Sequence, residues 1–235
     1  MSFETLAAND YPGRGIIIGR SKCGRYAVIA YFIMGRSENS RNRIFVEDGD
    51  IIRTQALDPS KLTDPSLIIY NTTRTIDNSI IVTNGDQTDT VYDFIKKGKT
   101  FEEALDTREY EPDEPNFTPR ISGMITFEED GFTYKMSILK NPSKIINGEC
   151  ERLYYGYSFP QKGEGRLIHT YKNDGNPIPS FVGEPVGVEL KGSTAEIAKE
   201  IWNSLNEDNK VALFVRRINI KTREVSTKII NKGRL

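Results

Sequence analysis

The sequence predicts an α+β protein in four layers, an αββα sandwich with two mostly antiparallel sheets at its centre and helices outside. More than ten segments have strand-like composition, and short hairpin turns join most of them. Two or three segments carry apolar residues at helical spacing. Residues 26–34 are nearly all apolar rather than alternating, as expected of a strand covered on both faces. A chain of 235 residues can bury one substantial core, so we expect a single domain over residues 1–235.

The first third of the chain is predicted to consist mostly of strands. Residues 1–10 show no strong pattern and are expected to form a flexible lead-in. Residues 15–20 and 25–35 are apolar, β-rich runs, and the polar residues 21–24 between them indicate a hairpin. Further short strands are predicted over residues 44–46, 51–54, 67–71 and 79–83.

Two helices are predicted in the middle of the chain. A tight turn at residues 84–85 opens the first, which Gly98 ends. Its apolar residues recur at i, i+3 and i+4 spacing, at Val91, Phe94 and Ile95. Thr100 and Glu103 form a capping-box pattern for the second. The proline-rich segment 110–119 is expected to be an ordered surface loop.

The second half is predicted to add hairpins and one more helix. Strands are expected over residues 120–128, 132–139, 153–159, 167–171, 210–220 and 223–230. Residues 173–185 contain several prolines and are expected to form a loop. Ser193 and Glu196 make another capping box, and an apolar stripe follows it. That stripe consists of Ala198, Ile201, Trp202 and Leu205.

Charge and cysteine content exclude several classes of protein. The formal net charge is −1, so attraction to nucleic acid or to an anionic membrane is expected to be weak. No window approaches the roughly 18 apolar residues of a membrane span. Cys23 and Cys150 are the only cysteines, and they have no zinc-ligand spacing, so a cytoplasmic protein with reduced thiols and no metal is expected. His169 is the only histidine, which removes most histidine-based catalytic arrangements.

The clearest functional signal is a cluster of basic residues. Between residues 14 and 43 there is one acid, Glu38, against seven basic side chains. These are Arg14, Arg20, Lys22, Arg25, Arg36, Arg41 and Arg43. Amides and hydroxyls accompany the cluster and recur in two short polar segments, residues 70–74 and 83–90. Forked guanidinium groups beside amides suit a small anion that also carries polar ring edges, such as a phosphorylated metabolite.

Six short blocks resemble the archaeal-type IMP cyclohydrolases in order and approximate spacing. The N-terminal blocks are Tyr11-Pro12-Gly13-Arg14-Gly15-Ile16, Ala30-Tyr31, and Gly35-Arg36-Ser37 with Asn42-Arg43. The later blocks are Tyr70-Asn71, residues 79–90, and residues 110–121, which contain Thr118-Pro119-Arg120-Ile121. The resemblance covers residues 11–121, about half of the chain.

The resemblance implies a fold like that of N-terminal-nucleophile hydrolases. It implies ring closure of 5-formamidoimidazole-4-carboxamide ribotide to inosine monophosphate, in purine biosynthesis, with no metal and no organic cofactor. The expected partner is therefore a small purine ribotide, and assembly of identical copies is compatible with the sequence. Tyr70 is the candidate that donates or relays a proton at the reacting oxygen. Glu111 is the candidate acid or base, with Glu114 as the second choice.

The substrate-binding candidates are mostly arginines and amides. Arg36 and Arg43 are the leading phosphate ligands, followed by Arg14 and Arg74. Arg120 is expected either to bind substrate or to hold the proline-rich, acidic segment 110–119 by pairing with Glu111 or Asp113. The remaining candidates are Asn42, Asn71, Asn84 and Gly85, the last two ahead of a helix start that favours anions.

Two other functions are compatible with the same residues. A non-catalytic purine-nucleotide-binding protein could keep this set of polar side chains and lack turnover. An RNA-binding module could use the basic cluster, but the nearly neutral overall charge argues against it.

Overall fold

Two antiparallel sheets form the centre of the molecule. The computed structural model describes residues 3–62, residue 65 and residues 67–234. The first sheet has six strands in the order β11-β10-β1-β2-β12-β13. Their bounds are Arg14–Arg20 (β1), Tyr26–Met34 (β2), Glu164–His169 (β10), Val186–Glu189 (β11), Lys210–Asn219 (β12) and Val225–Asn231 (β13). The two central strands, β1 and β2, therefore pair with strands from the far end of the chain as well as with each other.

The second sheet has seven strands in sequential order, β3 to β9. Their bounds are Ile44–Asp48 (β3), Ile51–Gln55 (β4), Asn71–Ile76 (β5), Ser79–Thr83 (β6), Arg120–Phe127 (β7), Phe132–Lys140 (β8) and Glu151–Tyr157 (β9). Each pair of neighbours is antiparallel, so this sheet is a continuous meander built from local hairpins.

Five α-helices complete the described structure. They are Glu4–Ala7 (α1), Glu38–Arg41 (α2), Gln87–Lys96 (α3), Phe101–Asp106 (α4) and Thr194–Ser204 (α5). The apolar face of α5 packs with α1 against the outer face of the six-stranded sheet. The apolar faces of α3 and α4 pack against the outer face of the seven-stranded sheet. The capping boxes predicted at Thr100 and Ser193 are confirmed.

Strand β2 shows why its sequence is almost uniformly apolar. Ile29 and Tyr31 point into the core between the two sheets, whereas Val28 and Phe32 point outward to the core shared with α5. Both faces of β2 are therefore covered, as predicted from the missing alternation.

The prediction of a flexible lead-in over residues 1–10 is corrected for residues 3–10. This segment contains α1, and both Phe3 and Leu6 are almost fully buried in the core that α5 shares with the six-stranded sheet. The spacing of Phe3 and Leu6 alone is too weak a pattern to predict this docking. Met1 and Ser2 lie outside the described residues.

Three further elements differ from prediction. Residues 67–70 are not part of a strand. Strand β5 begins only at Asn71, and most of its residues up to Ile76 are β-branched. Residues 63, 64 and 66, just before this segment, lie outside the described residues. The short helix α2 is capped reciprocally by Ser37 and Ser40, a serine variant of the capping box. Strand β11 is not among the predicted strands, and it is a short strand at the edge of its sheet.

Candidate active site

A cavity of about 350 Å³ opens at one end of the sandwich. Its walls come from the start of β1, the segment around α2, the acidic segment 110–119 and the loop that follows β10. The polar side chains that line it are Tyr11, Arg14, Arg36, Ser37, Asn39, Ser40, Arg43, Glu111, Asp113, Asn116, Thr118 and Tyr171. Met34, Leu67, Ile68 and Ile178 supply the apolar part. Of the eleven predicted site residues, Arg14, Arg36, Arg43 and Glu111 line this cavity.

A buried ion pair between Arg14 and Glu111 lies at the wall of the cavity. The Nη1 and Nη2 atoms of Arg14 donate to the two carboxylate oxygens of Glu111 at 2.8 and 2.7 Å. Nη1 also donates to the carbonyl oxygen of Asn84 at 3.0 Å. Burial opposes the charge on Arg14, but the Glu111 carboxylate outweighs it and leaves the pKa of Arg14 raised. Glu111 therefore fixes a permanently charged guanidinium in the cavity wall.

Arg36 and Arg43 bring two more guanidinium groups to the same cavity. Arg43 is buried, and its Nε donates to the carbonyl oxygen of Ser40 at 2.9 Å. Arg36 is more exposed, and its guanidinium lies over the ring of Tyr11, 5.0 Å from the centroid. Arg36 also forms an ion pair with Asp174 and donates to the carbonyl oxygen of Gly175 at 3.1 Å. Asp174 and Gly175 belong to the loop after β10, so that loop covers part of the cationic region.

Three cavity residues form a chain of hydrogen bonds. The hydroxyl of Tyr171 contacts the hydroxyl of Thr118. The hydroxyl of Thr118 in turn donates to the carboxylate of Asp113. The backbone N–H of Thr118 donates to the other oxygen of Asp113 at 2.6 Å. Burial, and then the Glu111 carboxylate, raise the pKa of Asp113 despite these hydrogen bonds. The chain joins a phenol to a partly desolvated carboxylate.

Tyr70 does not itself line the cavity. It is buried and its hydroxyl lies 2.8 Å from the hydroxyl of Tyr31, which is also buried. Both phenols are close enough to Arg14 to affect its pKa. The predicted catalytic position therefore lies near Arg14 and against Tyr31, a residue of the core between the sheets.

Asn42, Asn71 and Arg74 lie outside the cavity and have other partners. The amide of Asn42 donates to the carbonyl oxygen of Asp58 at 2.8 Å and accepts from its N–H at 2.7 Å. It thus closes the loop after β4. Asn71 and Arg74 both donate to the carboxylate of Asp89, on α3. Their role as substrate ligands stays a prediction, and their contacts join β5 to α3.

Asn84, Gly85 and Arg120 form a buried network behind the Arg14–Glu111 pair. The side chain of Asn84 accepts from the N–H of Ile121 at 2.9 Å and donates to the carbonyl oxygen of Pro119 at 2.9 Å. It fixes the end of the segment that carries Glu111. A Cβ on Gly85 would lie 2.6 Å from Nη1 of Arg120, so glycine allows this close approach.

Arg120 has neither of its two expected acidic partners. Its Nη1 donates to the carboxylate of Asp86 at 2.7 Å and to the side-chain oxygen of Gln87 at 2.8 Å. The expected pairing with Glu111 or Asp113 is therefore wrong. Arg14 is the partner of Glu111, and the residues of the turn before α3 hold Arg120.

Sequence reasoning missed Tyr171 as a cavity residue. Tyr171 follows β10, beyond the part of the chain that carries the resemblance, and its ring stacks on Tyr11 with centroids 5.8 Å apart. The sequence indicates Asp113 only as a partner for Arg120, and Thr118 only as part of a block that resembles the family. Three residues from two distant segments make this chain of hydrogen bonds, and no local pattern predicts it.

His169 is a buried packing residue. Its ring lies 4.5 Å from that of Phe181, and its Nδ1 lies 2.8 Å from the carbonyl oxygen of Tyr171. Because a carbonyl only accepts, Nδ1 carries the proton. Burial lowers the pKa of His169 to about 4, against the smaller opposing effect of this hydrogen bond. The imidazole is therefore neutral at pH 7.

Over residues 3–62, 65 and 67–234, no group of three or more His, Cys, Asp or Glu side chains is arranged to hold a metal ion. Within the same ranges, no helix is long and apolar enough to cross a membrane.

Comparison with known proteins finds similarity over most of the chain. The model of a family described as "IMP cyclohydrolase-like protein" matches residues 11–223. An IMP cyclohydrolase from Methanopyrus kandleri is 33% identical over 165 residues, which cover 68% of this chain and 75% of that protein. An IMP cyclohydrolase from Methanocaldococcus jannaschii is 27% identical over 227 residues, which cover 93% of this chain and 98% of that protein. A third, from Methanosphaera stadtmanae, is 37% identical over 127 residues, or 52% and 61% of the two chains.

Proposed function

The chain belongs to the IMP cyclohydrolase-like family, and on that premise we propose that it closes the purine ring of inosine monophosphate. The substrate is 5-formamidoimidazole-4-carboxamide ribotide, and the reaction releases water. The observation that carries this proposal is the cavity of about 350 Å³ in which Arg14, Arg36 and Arg43 meet Glu111. Three guanidinium groups suit a phosphorylated ligand, and the volume lies in the range of small-molecule sites.

The arginines are assigned two roles according to how firmly the protein holds them. Arg36 is exposed enough to meet a phosphate at the mouth of the cavity, and Arg43 is the second phosphate ligand. Arg14 is buried and held by both oxygens of Glu111, so its position changes little when substrate binds. A fixed charge of this kind suits the oxyanion that develops when the formyl carbonyl is attacked, and one such donor contributes about 3–4 kcal/mol.

Much of the remaining acceleration comes from the substrate itself. The carboxamide nitrogen and the formyl carbon sit on the same imidazole ring, and well-oriented intramolecular reactions reach effective molarities of about 10⁵–10⁸ M. The protein therefore has to rotate these two groups together and move protons. Tyr70 stands beside Arg14 and is the proposed hydroxyl at the reacting oxygen. Asn42, Asn71, Arg74, Asn84, Gly85 and Arg120 are proposed to support the site through the contacts described above.

The finer structural expectations are part of the same proposal. We place the chain with the N-terminal-nucleophile hydrolase folds, as a single domain over residues 1–235 and in the cytoplasm. The shared core between the two sheets and the helices on both outer faces support the fold assignment.

A direct assay separates the proposed enzyme from a non-catalytic nucleotide-binding protein. The purified protein is incubated with the formylated ribotide, and inosine monophosphate is followed by its absorbance. Product formation above the uncatalysed rate is the expected result. Saturable binding of the ribotide without product would favour the non-catalytic protein and overturn the proposal.

Asp174→Asn is expected to lower KM by about twofold to fivefold with little change in kcat. The carboxylate of Asp174 competes with the substrate phosphate for Arg36, and a half-exposed ion pair contributes up to about 1 kcal/mol. Steady-state kinetics on the ribotide measure the change. Glu184→Gln is the matched control, since it removes the same charge from an exposed site in the same loop. An unchanged KM for Asp174→Asn would show that phosphate does not replace this carboxylate.

A further inference from the structure

We propose that Tyr171 is a catalytic residue that takes a proton from the substrate's carboxamide nitrogen and passes it through Thr118 to Asp113. This inference rests on the proposed function and assigns the proton route within the same cavity. All three residues line the cavity, and their side chains form one continuous hydrogen-bonded chain.

The direction of the chain follows from counting protons. The hydroxyl of Thr118 has one proton, and it donates that proton to the carboxylate of Asp113. The contact between Thr118 and Tyr171 must then use the proton of Tyr171. With its proton committed to Thr118, the phenol oxygen of Tyr171 can only accept from a ligand in the cavity. It therefore selects an N–H group, and the carboxamide nitrogen of the ribotide carries two.

Glu111 is poorly placed to be the base. Both of its carboxylate oxygens accept from Arg14, and its side chain is almost fully buried. Proton uptake by Glu111 would break a two-point ion pair and leave Arg14 as an uncompensated buried charge. Asp113 is half-buried, and its hydrogen bonds come from the neutral groups of Thr118. Asp113 can therefore be protonated without the loss of an ion pair.

The addition step balances along this chain. The carboxamide nitrogen forms a bond to the formyl carbon, and the π electrons of the formyl C=O move onto its oxygen. The nitrogen loses one proton to Tyr171, Tyr171 passes its own proton to Thr118, and Thr118 passes its own to Asp113. Asp113 then returns a proton to Thr118, Thr118 passes its own to Tyr171, and Tyr171 donates one to the oxyanion on the new tetrahedral carbon, which gives the neutral carbinolamine. No oxidant, metal or second substrate is needed.

Burial and the neighbouring Glu111 charge favour a carboxylate at Asp113 that gains a proton during the reaction. Glu111 lies on the same segment, Arg14 lies on β1, and Lys144 approaches from the loop after β8. Burial raises the pKa of Asp113 and the Glu111 charge adds to it, while Arg14 acts in the opposite direction. The pKa of Lys144 is lowered by burial to about 8, so Lys144 stays largely charged below pH 7.

Tyr171→Phe tests the residue that touches substrate. The ring and its stacking on Tyr11 remain, and only the hydroxyl is lost. Positioned proton transfer contributes about 10²–10⁴-fold, so kcat is expected to fall by at least about a hundredfold with KM changed by less than about threefold. Tyr134→Phe is the matched control, because Tyr134 is an equally buried tyrosine of the core between the sheets and does not line the cavity.

Variants of the other two residues distinguish proton transfer from packing. Thr118→Val keeps the shape but breaks the chain and is expected to lower kcat as Tyr171→Phe does, whereas Thr118→Ser keeps the hydroxyl and most of the activity. The pKa of Asp113 is raised, so the wild-type kcat/KM is expected to fall on acidification at a higher pH than an exposed aspartate would give, as Asp113 takes up a proton. Asp113→Asn is expected to lower the plateau and to remove that acid limb. Circular dichroism confirms that each variant is folded.

The outcomes distinguish a failure of the proposed function from a failure of the proton route alone. If the wild type produces no inosine monophosphate, the proposed function fails and this proton route fails with it. If the wild type is active while Tyr171→Phe keeps a near-normal kcat, the proton route alone is overturned. Equal kcat values for Thr118→Val and Thr118→Ser, or an unchanged acid limb in Asp113→Asn, also overturn it.

Discussion

Glu111→Gln is expected to lower kcat/KM for ring closure by at least about a hundredfold and to cost roughly 3–5 kcal/mol of unfolding free energy. The substitution is nearly isosteric, but it leaves the buried guanidinium of Arg14 without its counter-charge. Removal of one partner of a buried pair is costly because the other charge stays desolvated. The same loss frees Arg14 to move away from the position where it meets the developing oxyanion, so activity falls together with stability.

Glu114→Gln is the control for this prediction. Glu114, the second-choice acid or base from the sequence, is exposed and does not line the cavity, so removal of its charge is expected to change both stability and activity little. Urea unfolding at pH 7.5 and steady-state kinetics on the ribotide measure the two effects. If Glu111→Gln were as stable and as active as Glu114→Gln, the buried pair would have neither of the roles assigned to it.

His169 is expected to reduce the free energy of unfolding by roughly 3 kcal/mol as the pH falls from about 6.5 to 4. Burial lowers the pKa of His169 in the folded protein to about 4, whereas an unfolded histidine titrates near 6.5. Below pH 6.5 the unfolded chain therefore binds a proton that the folded chain does not, and stability falls with pH. Above pH 6.5 both states are neutral and the effect vanishes.

A comparison with His169→Gln isolates this effect from the titration of carboxylates. Glutamine keeps an N–H donor for the carbonyl oxygen of Tyr171 but does not titrate. Urea unfolding at several pH values should show the stability of the wild type, relative to the variant, falling through this window. His169 is the only histidine of the chain, so no other imidazole contributes. A difference that stays constant from pH 7.5 to 4 would contradict the prediction.

Most of the architecture could be predicted from the sequence because its signals are local. Hairpin turns, capping boxes and the uniformly apolar β2 each depend on a few consecutive residues. The lead-in could not be predicted, because the burial of Phe3 and Leu6 depends on their packing beside α5, almost two hundred residues away. The predicted strand boundaries around residue 70 are wrong for a related reason. An apolar run there lines the cavity, and the strand follows in a run of threonines.

The candidate site could likewise be predicted only in part from the sequence. Arg14, Arg36, Arg43 and Glu111 belong to the blocks that resemble the family, and the structure brings them to one cavity. The amides and Arg120 look equally suited to a ligand in the sequence, but a side chain that fixes a neighbouring loop has the same composition as one that binds substrate. In the fold each of these side chains has a protein partner, and its role as a substrate ligand stays a prediction. Tyr171 shows the converse, since its place beside Thr118 depends on the pairing of β1 with β10.

The pairing of the six-stranded sheet limits how far the recognisable half of the chain could act alone. Strands β1 and β2 hydrogen-bond to β10 and β12, which both lie beyond residue 160. A fragment that ended near residue 121 would leave both outer edges of that hairpin with unpaired backbone groups and an uncovered apolar face. Such edges promote aggregation, so this fragment would not be a transplantable minimal enzyme. The arginines of the candidate site, which all lie in the first half, depend on the second half for their scaffold.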